Sequence, residues 1–127
     1  MQDNRSLPLG GYSPVVTPFN DDLTVNSDKL INQCKWLLSQ DVGLAIFGTN
    51  SEANSLSVDE KIFLLDKLID HGVAPDKLMP GTGCCAITDT IKLTKHAVKL
   101  GCSGVLMLPP FYYKTVDDPG LFNYFSN

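Results

Sequence analysis

Gly43-Leu44-Ala45-Ile46-Phe47-Gly48-Thr49-Asn50-Ser51-Glu52, running on through Ala53-Asn54-Ser55-Leu56 into Ser57-Val58-Asp59-Glu60, is the stretch whose reading decides the fold. An apolar run of strand length ends at Gly48-Thr49 and opens into a polar loop. The loop then meets a capping box, with Ser57 at the cap and Glu60 three residues on. This is strand, loop, helix, and in α/β proteins the C-terminal end of such a strand is where ligands sit. A Thr hydroxyl and loop N–H groups at that end suit a small carboxylate or phosphate.

The same grammar repeats on both sides. Upstream, residues 12–17 read as a strand that stops at Thr17-Pro18. A turn follows at Asn20-Asp21-Asp22, and a helix capped by Asn26 or Ser27 runs to about Gln40, with Leu30, Ile31, Cys34, Leu37 and Leu38 on its apolar face. The helix begun at Ser57 is expected to turn Ile62, Leu65, Leu68 and Ile69 inward and Lys61, Asp66, Lys67 and Asp70 outward, ending at Gly72 and Pro75. Downstream, residues 78–80 make a short strand before Gly81-Thr82-Gly83. Thr88 is expected to cap a third helix carrying Ile91, Thr94, Ala97 and Val98 on one side, closed by Gly101. Residues 104–108 are a fourth strand ending at Pro109-Pro110, and Asp118-Pro119 starts a fourth helix.

The pattern is βαβαβαβα with a repeat of roughly 30 residues, the length of a parallel strand and its helical crossover. The strands read as continuous apolar runs, as strands covered on both faces do. Two architectures fit: a small open doubly wound sheet, or half of a (β/α)8 barrel, which in full takes about 250 residues. No Gly-rich phosphate loop follows the first strand, as a dinucleotide fold requires. Instead every strand end carries polar or aromatic residues, which favours the barrel, whose site is assembled from many strand ends.

The chain has 127 residues, 43% hydrophobic and 19% charged, so it can bury one core, and residues 1–127 are expected to form one half-barrel unit. Its net charge of −4 argues against nucleic acid and against an anionic membrane surface. No apolar stretch approaches the roughly 20 residues that span a bilayer. The N-terminal Met1-Gln2-Asp3-Asn4-Arg5-Ser6 lacks the pattern of a signal peptide, so a cytoplasmic location is expected. The cysteines at 34, 84, 85 and 102 form no C-x-x-C pair and read as reduced thiols.

At its loops the chain resembles the dihydrodipicolinate synthase / N-acetylneuraminate lyase family of pyruvate-dependent class I aldolases. The matching pieces are Val16-Thr17-Pro18-Phe19, Gly48-Thr49-Asn50-Ser51-Glu52, Gly81-Thr82-Gly83, Leu93-Thr94-Lys95-His96-Ala97 and Pro109-Pro110-Phe111-Tyr112-Tyr113-Lys114, in family order and spacing. The resemblance implies a (β/α)8 TIM barrel, of which this chain covers about the first four β/α units, in a homo-oligomer (dimer or tetramer). It implies an enzyme whose lysine amine condenses with pyruvate, so that the enamine attacks an aldehyde, or the reverse in a lyase. It assigns catalytic roles to Thr49 and Tyr113, with Thr49, Asn50 and Thr17 binding substrate, and it calls for no cofactor and no metal. The partners are then pyruvate and an aldehyde. Synthases usually read Gly-Thr-Thr-Gly-Glu at this loop. Here Asn50 and Ser51 replace the second hydroxyl and the next glycine, and an amide donates a hydrogen bond but relays no proton as a hydroxyl does. In the family the imine-forming lysine ends the sixth strand and a second tyrosine follows the fifth. Both fall beyond Asn127, so the chain reads as truncated and inactive by itself.

The remaining reactive residues have plainer readings. Thr49 and Asn50 can cap a turn, and Tyr112 and Tyr113 can be packing aromatics. Most lysines lie on amphipathic helices, and only Lys114 stands near a strand end. His71 and His96 fall on helices and do not converge as zinc ligands would. Cys84-Cys85 reads first as a pair of small apolar side chains, with redox chemistry as the alternative. The competing accounts of the chain are a half-barrel that self-associates or pairs with a partner, and an open-sheet domain binding phosphate at Gly81-Thr82-Gly83-Cys84.

Overall fold

The computed structural model describes residues 10–127, so the reading of Met1–Ser6 lies outside the described residues. Strand β1, Tyr12–Pro14, pairs in parallel with β2, Gly43–Ala45, in the register Tyr12 to Gly43. Two more extended segments continue the sheet in chain order. Residues 78–81 join β2 through a parallel bridge at Leu44 and Leu78, and residues 103–106 join that segment through Gly81 and Leu106. The bonds Met79 N–H to Leu44 O (2.9 Å), Gly81 N–H to Ile46 O (2.7 Å) and Leu106 N–H to Pro80 O (2.9 Å) hold the four together. Sequential parallel neighbours separated by helices are one wall of a barrel.

Four helices cover the outside: α1 Ser27–Leu38, α2 Val58–Asp70, α3 Ile87–Leu100 and α4 Asp118–Ser126. Asn26 caps α1 by accepting from Lys29 N–H, while Ser27, the other candidate, accepts from Lys67 of α2 at 2.6 Å. The Ser57–Glu60 capping box of α2 closes in both directions. Asp117 caps α4, with Pro119 in the first turn, where its missing N–H costs nothing. Gly101 ends α3 at φ +86°, a conformation that suits glycine.

Three expectations need correction. The strands are shorter than their apolar runs: Pro14, Pro18, Pro80 and Pro109 have no N–H to give the ladder, and Phe47 turns left-handed after β2. Thr88 does not cap α3; the helix starts after Ala86 with no side-chain cap, and Thr88 stands inside its first turn. The buried face of α3 is Thr90, Leu93 and Ala97, with Val98 47% exposed, since Ile91 and Thr94 turn toward Tyr124 and Phe125 of α4.

The core lies between sheet and helices. Val15, Leu44, Ile46 and Leu78 of the sheet meet Leu30, Ile31 and Cys34 of α1 and Leu64, Leu65 and Leu68 of α2. Each such apolar side chain contributes about 1.5–3 kcal/mol on burial. Polar pairs lock α2 to α3: His96 Nε2 meets Asp66 Oδ1 at 2.7 Å, and Lys92 Nζ meets Asp59 Oδ1 at 3.1 Å.

Candidate functional site

At the C-terminal end of β2 the chain turns sharply. Phe47 takes a left-handed conformation at φ +57° with its ring buried. Gly48 follows, and Thr49–Ser51 wind into one tight turn. The turn is closed by Ser51 N–H and Ala53 N–H, both donating to Gly48 O at 3.0 and 3.1 Å. Thr49 and Asn50 are exposed, and among the described residues their backbone N–H groups and the Thr49 hydroxyl have no partner. They stand in the wall of a cavity of about 260 Å³, with Pro14 and Ala45 of the sheet on one side and Leu106 on the other. Two unpartnered amides and a hydroxyl, on residues that line one cavity, suit an anion.

Thr17 has a different position from the one the resemblance implies. It is 7% exposed, and its hydroxyl donates to Ser51 O at 2.7 Å. It pins the Thr49 loop from beneath, so it fixes the shape of the site and presents no free donor to the cavity. The Ser51 hydroxyl is fully buried and unpartnered among the described residues, a local penalty where the family carries glycine.

Tyr113 and Tyr112 stack edge to face with ring centroids 5.2 Å apart and are 80% and 72% exposed. They line a separate cavity of about 390 Å³ with Cys85, Ala86, Pro110 and Phe111. Thr49 and Tyr113 therefore do not share a cavity. Lys114 is exposed on the same loop. Among the described residues no three His, Cys, Asp or Glu side chains converge as metal ligands, and no helix is long and apolar enough to cross a membrane.

The sequence reading missed Lys61. Expected on the solvated face of α2, it is 2% exposed, and it lines a gap of about 10 Å³ with Phe47, Gly81, Thr82 and Leu93. The signal was present, because Lys61 stands one turn before Leu64 and Leu65 and shares their stripe. Burial lowers the pKa of its amine, with the Cys84 side chain acting in the opposite direction. The gap has no room for a substrate, so this is not a site for imine chemistry.

A lysine whose folded pKa lies below its unfolded value penalises the fold while both states are charged. The penalty lifts as pH climbs through the folded pKa toward the unfolded one. Lys61→Met should raise stability at neutral pH and lose that alkaline gain. Urea midpoints of both proteins in neutral and mildly alkaline buffer test this. A variant no more stable at neutral pH, with an unchanged pH slope, counts against it.

Comparison with known proteins agrees with this fold. The model of the dihydrodipicolinate synthetase family matches residues 8–127. An uncharacterized DapA-like lyase of Chloroflexus aurantiacus is 37% identical over 120 residues, covering 93% of this chain and 40% of the relative. The crystal structure of dihydrodipicolinate synthase from Agrobacterium tumefaciens superposes with a TM-score of 0.87 at 34% identity, over 91% of this chain and 41% of that one. YagE from E. coli K12, a prophage protein of the dihydrodipicolinic acid synthase family solved in complex with pyruvate, gives 0.81 at 27% identity, over 95% and 41%. The chain thus spans about 40% of the length of the curated relative it matches. Its sheet and helices are part of a TIM barrel, and with a family match running from residue 8 to residue 127 the chain belongs to the dihydrodipicolinate synthetase family.

Proposed function

We propose that this chain supplies the carboxylate-binding wall of a pyruvate-dependent Schiff-base aldolase or lyase. The observation that carries the reading is the Thr49 turn, with its hydroxyl and two unpartnered N–H groups on a cavity of about 260 Å³. These donors hold the keto-acid carboxylate and so orient the carbonyl toward an amine. The imine withdraws electrons from the pyruvate methyl, a proton leaves, and the enamine carbon joins an aldehyde. No lysine is among the residues that line the Thr49 cavity, so in this reading the amine comes from another part of the complete site. Asn50 contributes its N–H and amide to binding, and proton relay falls to Tyr113. With 80% of its surface exposed, Tyr113 is free to reach a site completed by further chain or by a second subunit of a homo-oligomer.

Pyruvate titrated into the isotopically labelled chain is expected to shift the amide resonances of Gly48–Ser51, with a Kd of about 1–10 mM, as a few hydrogen bonds in a half-open site give. Thr49→Val should weaken this binding about tenfold through the lost hydroxyl. Unchanged resonances in that turn at saturating pyruvate defeat the proposal.

A second reading, self-association of the half-barrel, is favoured by its exposed apolar residues. Val16, Leu106 and Leu108 on the sheet side and Phe122 and Phe125 on α4 are 55%, 37%, 41%, 72% and 49% exposed. Exposed apolar surface and open sheet edges invite pairing. A monomer in sedimentation at micromolar concentration rejects it.

A further inference from the structure

Cys84 and Cys85 sit in a loosely tied stretch of the chain. The sheet holds it up to Thr82, whose N–H donates to Leu106 O at 3.0 Å, and α3 takes over at Ile87. Among the described residues no backbone hydrogen bond involves residues 83–85. Gly83 adopts φ +31°, a turn that presents the next two residues at the mouth. Cys85 is exposed and lines the cavity of about 390 Å³ beside Tyr112 and Tyr113, whereas Cys84 is half-buried. Behind them lies Lys61: a Cβ built on Gly83 would stand 3.6 Å from its Nζ. Among the described residues no carboxylate pairs with that amine, and Cys84 is the side chain whose charge it feels. A peptide free of ladder bonds can twist as a bridge between adjacent cysteines demands, and the Lys61 ammonium opposes the rise that burial imposes on the Cys84 thiol.

We propose that Cys84 and Cys85 form a redox-active vicinal dithiol that low-molecular-weight disulfides oxidise reversibly. The Cys85 thiolate attacks one sulfur of the small disulfide, forming a mixed disulfide and releasing one thiolate. Cys84 loses its proton to solvent, with the Lys61 ammonium favouring the thiolate, and its sulfur attacks that of Cys85, expelling the second thiolate. Two protein thiols are oxidised and one small disulfide is reduced to two thiols. Ring closure across a single peptide bond stores strain, so the bridge is readily reduced again.

Intact-mass analysis of the chain after oxidised glutathione, with alkylation of the remaining thiols, tests this. The expected product is two hydrogens lighter and carries no alkyl group on residues 84 and 85. Cys84→Ser should stop at a glutathione adduct on Cys85. Lys61→Met, which keeps most of the apolar stem and removes the charge, should form the adduct at the normal rate and close it roughly tenfold more slowly at neutral pH. Cys34 and Cys102, buried in the core, should remain thiols throughout. A wild-type chain that accumulates the same stable adduct as Cys84→Ser, or whose two thiols are both alkylated after oxidant, overturns the proposal.

Discussion

Gly81→Ala is expected to destabilise the chain by about 3 kcal/mol or more, above the usual range for overpacking. A Cβ at this position would lie 2.2 Å from Phe47 O and 2.9 Å from Gly48 N. Both neighbours are backbone, and Gly81 N–H is itself held to Ile46 O at 2.7 Å, so neither side can withdraw without breaking the sheet. The strain falls on the turn that carries Thr49, and pyruvate binding should weaken with stability. Gly83→Ala is the comparison: φ +31° disfavours any side chain there, but its Cβ would meet the Ala53 Cβ at 3.0 Å and the flexible end of Lys61 and no backbone, so the smaller loss should come there. Urea unfolding of both variants decides the matter. A Gly81→Ala change within about 0.5 kcal/mol of wild type would falsify the close approach.

Phe47→Ala should cost about 3–5 kcal/mol. The ring is 1% exposed and fills the space between sheet, α2 and Lys61, where its loss leaves a cavity lined by Leu65, Pro80 and Leu93. The left-handed backbone at this residue is strained for alanine as well, so the substitution recovers nothing there. Water entering the cavity would also rehydrate Lys61. The alkaline rise in stability attributed to that amine should therefore shrink in Phe47→Ala. An unfolding free energy within about 1 kcal/mol of wild type is the contrary result.

The helices could be read from sequence because their signals are local. Ser57 and Glu60 are three residues apart, Asp118 and Pro119 adjoin, and Gly101 marks the end of α3 in one letter. Strand bounds were harder, since a ladder depends on donors in a different segment, and the prolines remove several of them. The burial of Lys61 was misjudged by reading charge before position. The stripe of Leu64, Leu65 and Leu68 already included residue 61. At the site, the Thr49 turn was visible as a polar break after an apolar run. The role of Thr17 was not, because its bond to Ser51 O links residues 34 positions apart. The separation of Tyr113 from Thr49 likewise depends on the loop's path after residue 108, which no periodicity encodes.

Tyr12 OH donates to Ser103 Oγ at 3.0 Å, joining residues 91 positions apart across the foot of the wall, while Ser103 Oγ donates onward to Leu78 O at 2.7 Å. The described bridges within the parallel sheet otherwise connect only neighbours in chain order. Such a wall can be built one unit at a time as the chain leaves the ribosome, each strand docking on the last. The Tyr12–Ser103 bond cannot form until the fourth segment has arrived. It is a latch between the beginning and the end of that assembly, and its closure distinguishes a finished wall from three units awaiting their fourth.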